Sequence, residues 1–273
     1  MTGLPAGPRY FVDLFACQGG CSVGYHQALH AAGIIVLGVD RWDKYDFRKY
    51  PFHGAKGDVL EVLQRFLAGE SIRFYDRRGY ALHVTLDQVI GWGASPPCQR
   101  YSAGTRGFDA DDYPDLVEPT RALLQATGLP YIIENVAGAP LEGAVLLCGS
   151  MFGLFAEDED GFPLYLERHR LFEANFPITA PGPCEHPEGA WAAGIYGGAR
   201  GRAKGQTASE HRFTARHVRK GGYVPDSLAV RQRLMGITWA DPEAMAQMIP
   251  PAYTAHLGRL LADHLTLTPG VPA

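Results

Sequence analysis

Apolar runs and segments of helical period alternate along the first half of the chain. Tyr10 to Phe15 is a short β-rich run that ends in the glycine-bearing turn Ala16-Cys17-Gln18-Gly19-Gly20. A helix-like stretch follows from Cys21 to Ala32, then Gly33 and a second apolar run, Ile34 to Val39, that stops at Asp40. The alternation continues: Asp58 to Leu67 reads as helix, Gln88 to Ala94 as strand, Glu118 to Thr127 as helix and Tyr131 to Val136 as strand. Strands alternating with helices predict βαβ units, so the expected fold class is α/β, a doubly wound and mainly parallel sheet. Ligands in such sheets sit beyond the carboxyl ends of the strands. Asp13 to Gly20, Asp40, Asp58, Cys98 and Glu134 all fall at or near those ends and are expected to converge. From about Pro177 to Val224 the periodicity vanishes and glycine and proline become frequent, which predicts a small loop-rich region. Helical signals then return: Ser227 can cap a helix through Leu234, and Pro250-Pro251 can open one that ends near His264. The expected organisation is a core domain in 1–176, the loop-rich region in 177–224 and returning helices in 225–273.

Composition narrows this picture. A chain of 273 residues with 46% hydrophobic content suits one large α/β domain with a smaller appendage. No apolar run approaches the ~20 residues of a membrane span, and the first residues carry no apolar leader, so no membrane partner is expected. The five cysteines are scattered (17, 21, 98, 148 and 184), which fits a reducing, cytoplasmic setting better than a disulfide framework. Net charge is −4, yet Arg200, Arg202, Lys204, Arg212, Arg216, Arg219 and Lys220 lie in one window against the single acid Glu210. A basic island on an acidic body is the footprint of a phosphate-contacting surface, or else of a solvated loop.

The candidate chemistry centres on Cys98, in Ser95-Pro96-Pro97-Cys98-Gln99. Two prolines end the preceding strand stiffly, because proline fixes φ and donates no backbone hydrogen bond. A lone cysteine is commonly a small buried hydrophobe. Mounted at a strand end, with Glu134 on the next strand, it becomes a candidate nucleophile beside a candidate acid. The turn after the first strand lacks the lysine of a P-loop and a complete dinucleotide fingerprint. It can still bring helix-start amides close to an adenosyl ligand bearing a carboxylate. Asp40 stands where ribose hydroxyls bind in doubly wound folds, Asp58 can accept from an adenine amino group, and Trp42 can stack on the base. Cys184-Glu185-His186 supplies two metal ligands where a structural site needs four, so no metal is expected.

These residues, in this order, resemble the cytosine-C5 DNA methyltransferases, in particular compact phage-type or solitary members. Asp13-Leu14-Phe15-Ala16-Cys17-Gln18-Gly19-Gly20 is similar to the first cofactor motif, and Asp40-Arg41-Trp42 and Asp58 to the next two. Ser95 to Gln99 resembles the nucleophile loop, Glu134-Asn135-Val136 the acid motif, and Arg168-His169-Arg170 the paired arginines. Arg233-Leu234-Met235-Gly236 and Ile249-Pro250-Pro251-Ala252-Tyr253 resemble the motifs that follow target recognition. The resemblance implies an S-adenosylmethionine-dependent methyltransferase fold with a small target-recognition domain. It implies a monomer that acts on double-stranded DNA and releases S-adenosylhomocysteine. Cys98, Glu134, Asn135, Arg168 and Arg170 would be catalytic. The cofactor would be held by Asp13, Phe15, Ala16, Cys17, Gln18, Gly19, Gly20, Asp40, Arg41, Trp42, Asp58, Val59, Pro97 and Ile249. Gln99, Arg100, Ser102 and the seven basic residues from Arg200 to Lys220 would contact DNA. The segment from Gln99 to about Tyr113 would close over a flipped base. Three positions depart from the family pattern: Cys17 replaces a glycine, Leu166 a glutamine, and Ala246-Gln247 a Gly-Asn pair near the donor. The last leaves open a modified S-adenosylmethionine. An RNA cytosine substrate, a silent nucleic-acid-binding homologue and a nicotinamide-dependent oxidoreductase are the alternatives.

Overall fold

The computed structural model describes residues 7–44, 46–102, 113–195, 210 and 223–267. A nine-stranded sheet forms its centre. In chain order the strands are β1 (Arg9–Leu14), β2 (Ile34–Asp40), β3 (His53–Lys56), β4 (Ile72–Tyr75), β5 (Ala81–Val84), β6 (Val89–Ala94), β7 (Tyr131–Asn135), β8 (Val145–Leu147) and, after two strands of a smaller sheet, β11 (Arg170–Ala174). Their spatial order is β5-β4-β3-β2-β1-β6-β7-β11-β8. The five strands from β3 to β7 in that order run parallel, whereas β4 and β5 at one edge and β11 and β8 at the other are antiparallel. The expected parallel sheet thus forms the centre, and antiparallel strands extend it at both edges. The parallel centre holds the strands the apolar runs disclosed. The antiparallel edges are three to five residues long, and β4 and β5 alternate exposed with covered positions.

Helices cover both faces. On one face Tyr25 and Leu29 of α1 (Gly20–Leu29) and Tyr253, Leu257 and Leu261 of α6 (Pro251–Leu267) pack on Phe11, Val36 and Ile132. On the other, α2 (Val59–Leu67) and α3 (Val117–Thr127) cover Val12, Leu37, Val39 and Ile133. Strand neighbours that point to opposite faces therefore enter different cores, which is why β1 reads as an unbroken apolar run. Helix α2 buries Val59, Val62, Leu63 and Phe66, a one-sided stripe at helical spacing. Its N-cap is Asp58, whose Oδ1 accepts from the Leu60 and Glu61 amides, a cap worth about 1 kcal/mol. Ser227 caps α4 (Leu228–Met235) in the same way, as the sequence predicts.

A third core joins β9 (Phe155–Glu157), β10 (Pro163–Leu166) and β12 (Trp191–Ala193) to α4 and α5 (Pro242–Gln247). Its strands β9 and β10 precede the loop-rich 177–224 region and its helices follow it. Residues 196–209 and 211–222 of that region lie outside the described residues. No helix among the described residues is long and apolar enough to cross a membrane.

Candidate active site

The carboxyl ends of the parallel strands line one cavity of about 590 Å³. Register explains the convergence. Asp13 pairs with Gly93 and Leu14 with Ala94, so the end of β1 meets the end of β6, from which Ser95 to Cys98 emerge. Ala94 pairs with Ile133, which brings Glu134 on β7 alongside. Because β11 is antiparallel to β7, its first residue, Arg170, lies at the same end of the sheet. The Arg170 Nε is 3.1 Å from Glu134 Oε1. A buried fork between Arg121 and Glu173, with N–O distances of 2.6 and 2.7 Å, anchors β11 to α3 toward the strand's other end.

Cys98, Glu134, Arg168 and Arg170 all line this cavity. Burial pushes the Cys98 thiol up, the Glu134 charge adds to the rise, and Arg170 and Arg168 oppose it. Burial also raises Glu134, against the opposing pull of Arg170 and then Arg168. The pair is therefore a thiol and a carboxyl biased toward its acid form, beside two fixed cations. Arg168 is 2% exposed and is held by the carbonyls of Ile195 at 3.1 Å and Ala246 at 2.9 Å. Asn135, expected among the catalytic residues, is buried and does not line the cavity. Its Nδ2 donates to the Pro96 carbonyl at 3.0 Å and its Oδ1 accepts from the Val136 amide. It clamps the Pro96-Pro97-Cys98 loop to the end of β7.

The opposite end of the cavity, at β1 and β2, holds Asp13, Phe15, Ala16, Cys17, Gly20, Asp40, Arg41, Trp42, Asp58 and Val59, and Pro97 and Ile249 line the cavity as well. Asp40 accepts from the Cys17 amide at 2.8 Å and the Trp42 amide at 3.1 Å, tying two loops together. Arg41 points outward to Asp43 at 3.0 Å. Phe15, Cys17 and Trp42 have φ of 59°, 49° and 45°, a left-handed geometry that costs side-chain-bearing residues about 1 kcal/mol or more each. Such outliers gather where a backbone is held in place for a ligand, and glycine would enter the Cys17 conformation without that cost. Gly20 has a second reason to be glycine: a Cβ there would sit 2.5 Å from the Ile249 carbonyl oxygen. Asp13 is 1% exposed, accepts from the Ser22 hydroxyl, and leaves Oδ1 without a hydrogen-bond partner. Burial lifts its carboxyl to about 7, with Asp40 and Glu134 adding smaller increments against the Ser22 bond.

Two expected cofactor residues lie elsewhere. Gln18 and Gly19 do not line the cavity. Gln18 turns away to Asp241, giving Nε2 to its Oδ2 and taking its amide at Oε1, both at 2.9 Å. It locks the first turn to the start of α5. Gly19, at φ 88°, is the N-cap of α1. The sequence did not single out Met248, which lines the cavity, or Ser22 and Tyr50, which stand behind Asp13. Ala246 and Gln247, which stand where the family has Gly-Asn, do line it. Of the expected DNA contacts, Gln99 lines the cavity and the Arg100 Nη1 donates to the Tyr113 carbonyl at 3.1 Å. Ser102 is half-buried at the end of the described segment. Residues 103–112, and Arg200, Arg202, Lys204, Arg212, Arg216, Arg219 and Lys220, lie outside the described residues.

No family model and no curated protein matches the chain. Among solved structures it resembles the Entamoeba histolytica methyltransferase EhMeth, with a TM-score of 0.51 at 10% identity. The match covers 95% of this chain and 99% of that one. The chain therefore shares the fold of a methyltransferase, along nearly its whole length.

Proposed function

We propose that the chain is a DNA cytosine-C5 methyltransferase that uses S-adenosylmethionine. One observation carries this reading: a cysteine thiol, a buried carboxyl and two arginines share a cavity with a carboxylate-lined end flanked by strained loops. The residues at that end fit the cofactor. The partnerless Oδ1 of Asp13 would receive the α-amino group. Helix-start amides near Gly20 would face the carboxylate. Asp40, Asp58 and Trp42 would face the ribose and adenine. When bound, S-adenosylmethionine supplies an electrophilic methyl group.

The target cytosine leaves the duplex, at a cost of a few kcal/mol in unstacking. Cys98 releases its proton to solvent as its sulfur bonds to C6. The displaced electron pair moves toward N3, where Glu134 in its acid form donates a proton. Arg170 then faces the carboxylate that this leaves, so the charge forms next to an existing cation. The ring carbon C5 is now nucleophilic. Once C5 is methylated, N3 returns its proton to Glu134, and loss of the C5 proton to solvent re-forms the double bond and expels the Cys98 thiolate. The basic segment from Arg200 to Lys220 supplies the phosphate and base-edge contacts.

Mass spectrometry of nucleosides from cells that express the chain tests this reading. The expected product is 5-methyldeoxycytidine in DNA, and bisulfite sequencing then reports its sequence context. Methylcytosine confined to RNA, or unmodified cytosine in both, overturns it.

A further inference from the structure

Away from the cavity, Cys148, His169, Cys184 and His186 bring four ligand atoms within 4.8 Å of one another. The sequence shows only Cys184 and His186 as neighbours. Cys148 follows β8 and His169 precedes β11, so the antiparallel edge of the sheet supplies the missing pair. The two-ligand count taken from the sequence is corrected to four.

We propose that these residues bind one zinc ion. Tetrahedral zinc with sulfur at ~2.3 Å and nitrogen at ~2.0 Å requires S-to-N edges of about 3.5 Å. The structure has three such edges: Cys148 Sγ to His186 Nε2 at 3.6 Å, Cys184 Sγ to His186 Nε2 at 3.4 Å, and His169 Nε2 to Cys184 Sγ at 3.3 Å. Two thiolates with two imidazoles are a donor set that selects zinc over the oxygen-seeking cations.

The surroundings fit a metal as well. With Nε2 of His169 facing the cluster, its Nδ1 is 3.9 Å from Glu167 Oε1, longer than a hydrogen bond but on the side where a carboxylate orients a ligating imidazole. The Tyr165 hydroxyl reaches the other Glu167 oxygen at 3.4 Å. The Ser150 hydroxyl donates to Cys148 Sγ at 3.3 Å, and such bonds favour a thiolate. The His186 ring rests on Tyr165 with centroids 4.9 Å apart. Cys148 is buried while Cys184 and His186 are exposed, so an ion has a path in from solvent.

The site would act as a staple. It joins the sheet edge to the 183–187 segment that leads toward the basic region. His169 also lies between Arg168 and Arg170, so the metal would hold the backbone that aims both arginines into the cavity. The proposal does not depend on which base, or which acceptor, the enzyme methylates.

Metal analysis of the full-length protein, purified without chelator, tests it. One equivalent of zinc is expected, and cobalt replacing it should give the intense visible bands of tetrahedral cobalt with thiolate charge transfer. Cys184→Ser and His186→Asn, both at exposed positions, should lower bound metal at least tenfold with an unchanged circular dichroism spectrum. If those variants fail to fold, the cobalt spectrum of the wild type decides by itself. No retained metal with no tetrahedral cobalt spectrum overturns the proposal. So does full occupancy in folded Cys184→Ser, or a Cys148–Cys184 disulfide in metal-free protein, seen as two missing thiols.

Discussion

The two ends of the cavity bury their carboxyl groups in different ways. At the thiol end, Glu134 has Arg170 at 3.1 Å and Arg168 nearby, so its charge is met from within the protein. At the other end, Asp13 is met by Ser22 and, among the described residues, by no cation, and its Oδ1 has no hydrogen-bond partner. Burial raises both carboxyls. The difference lies in what can offset the burial. Glu134 can gain or lose a proton at modest cost because cations stand beside it in either state, which is what an acid in a catalytic cycle requires. Asp13 becomes a comfortable anion only when something cationic arrives from outside. On the proposed reading, the compensated acid serves the chemistry and the one short of partners serves binding.

This contrast can be broken from either side. The largest effect is expected at the thiol end, where Cys98→Ala should abolish turnover while leaving DNA binding intact in a gel-shift assay. Retained methyl transfer would return Cys98 to the role of a buried hydrophobe. Glu134→Gln keeps the shape but cannot exchange a proton. It should slow turnover by about 10²–10⁴-fold with cofactor affinity unchanged. If affinity falls and turnover holds, the two ends have been assigned in reverse.

Asp13→Asn should show the opposite split. Cofactor affinity, read by calorimetry, should fall by about 10–100-fold, the worth of a charge-assisted hydrogen bond. Stability supplies a second readout. The Asp13 carboxyl is raised to about 7, so the folded state holds a proton that the unfolded chain has released. Its contribution is present in full below pH ~4 and is lost as pH rises through ~7. The wild type should lose stability across that window relative to Asp13→Asn. Matching pH profiles would mean that Asp13 is not the strained group. The smallest effect is expected from a packing control. A Cβ at Gly24 overlaps the Pro251 carbonyl and the Thr254 hydroxyl, where α1 crosses α6. Gly24→Ala should destabilise the fold by about 1–3 kcal/mol without favouring either end of the cavity.

How far the sequence carried depended on how local each signal was. Strands β1, β2, β6 and β7 are covered on both faces, so each prints an apolar run. Strands β8, β9 and β12 have three residues each, too short to print any period. The site followed the same rule. Cys98, Glu134, Asp13 and Asp40 sit at ends of readable strands. Arg170 reaches the site through an antiparallel pairing that no local pattern announces, and only its place in a motif order pointed to it. The turn bearing Gln18 is near the cavity, while its side chain bonds a partner 223 positions away, which no local pattern announces. The four candidate metal ligands fall between positions 148 and 186, on three separate stretches of chain.

The central claim is that Cys98 is the nucleophile for a cytosine ring. Duplex DNA bearing 5-fluorocytosine tests it most directly, because the fluorine cannot leave as a proton does and the covalent adduct accumulates. With S-adenosylmethionine present, the account predicts an adduct that mass spectrometry maps to Cys98 and that is lost in Cys98→Ala. DNA and cofactor both bound with no adduct formed, or an adduct that survives the substitution, would contradict it.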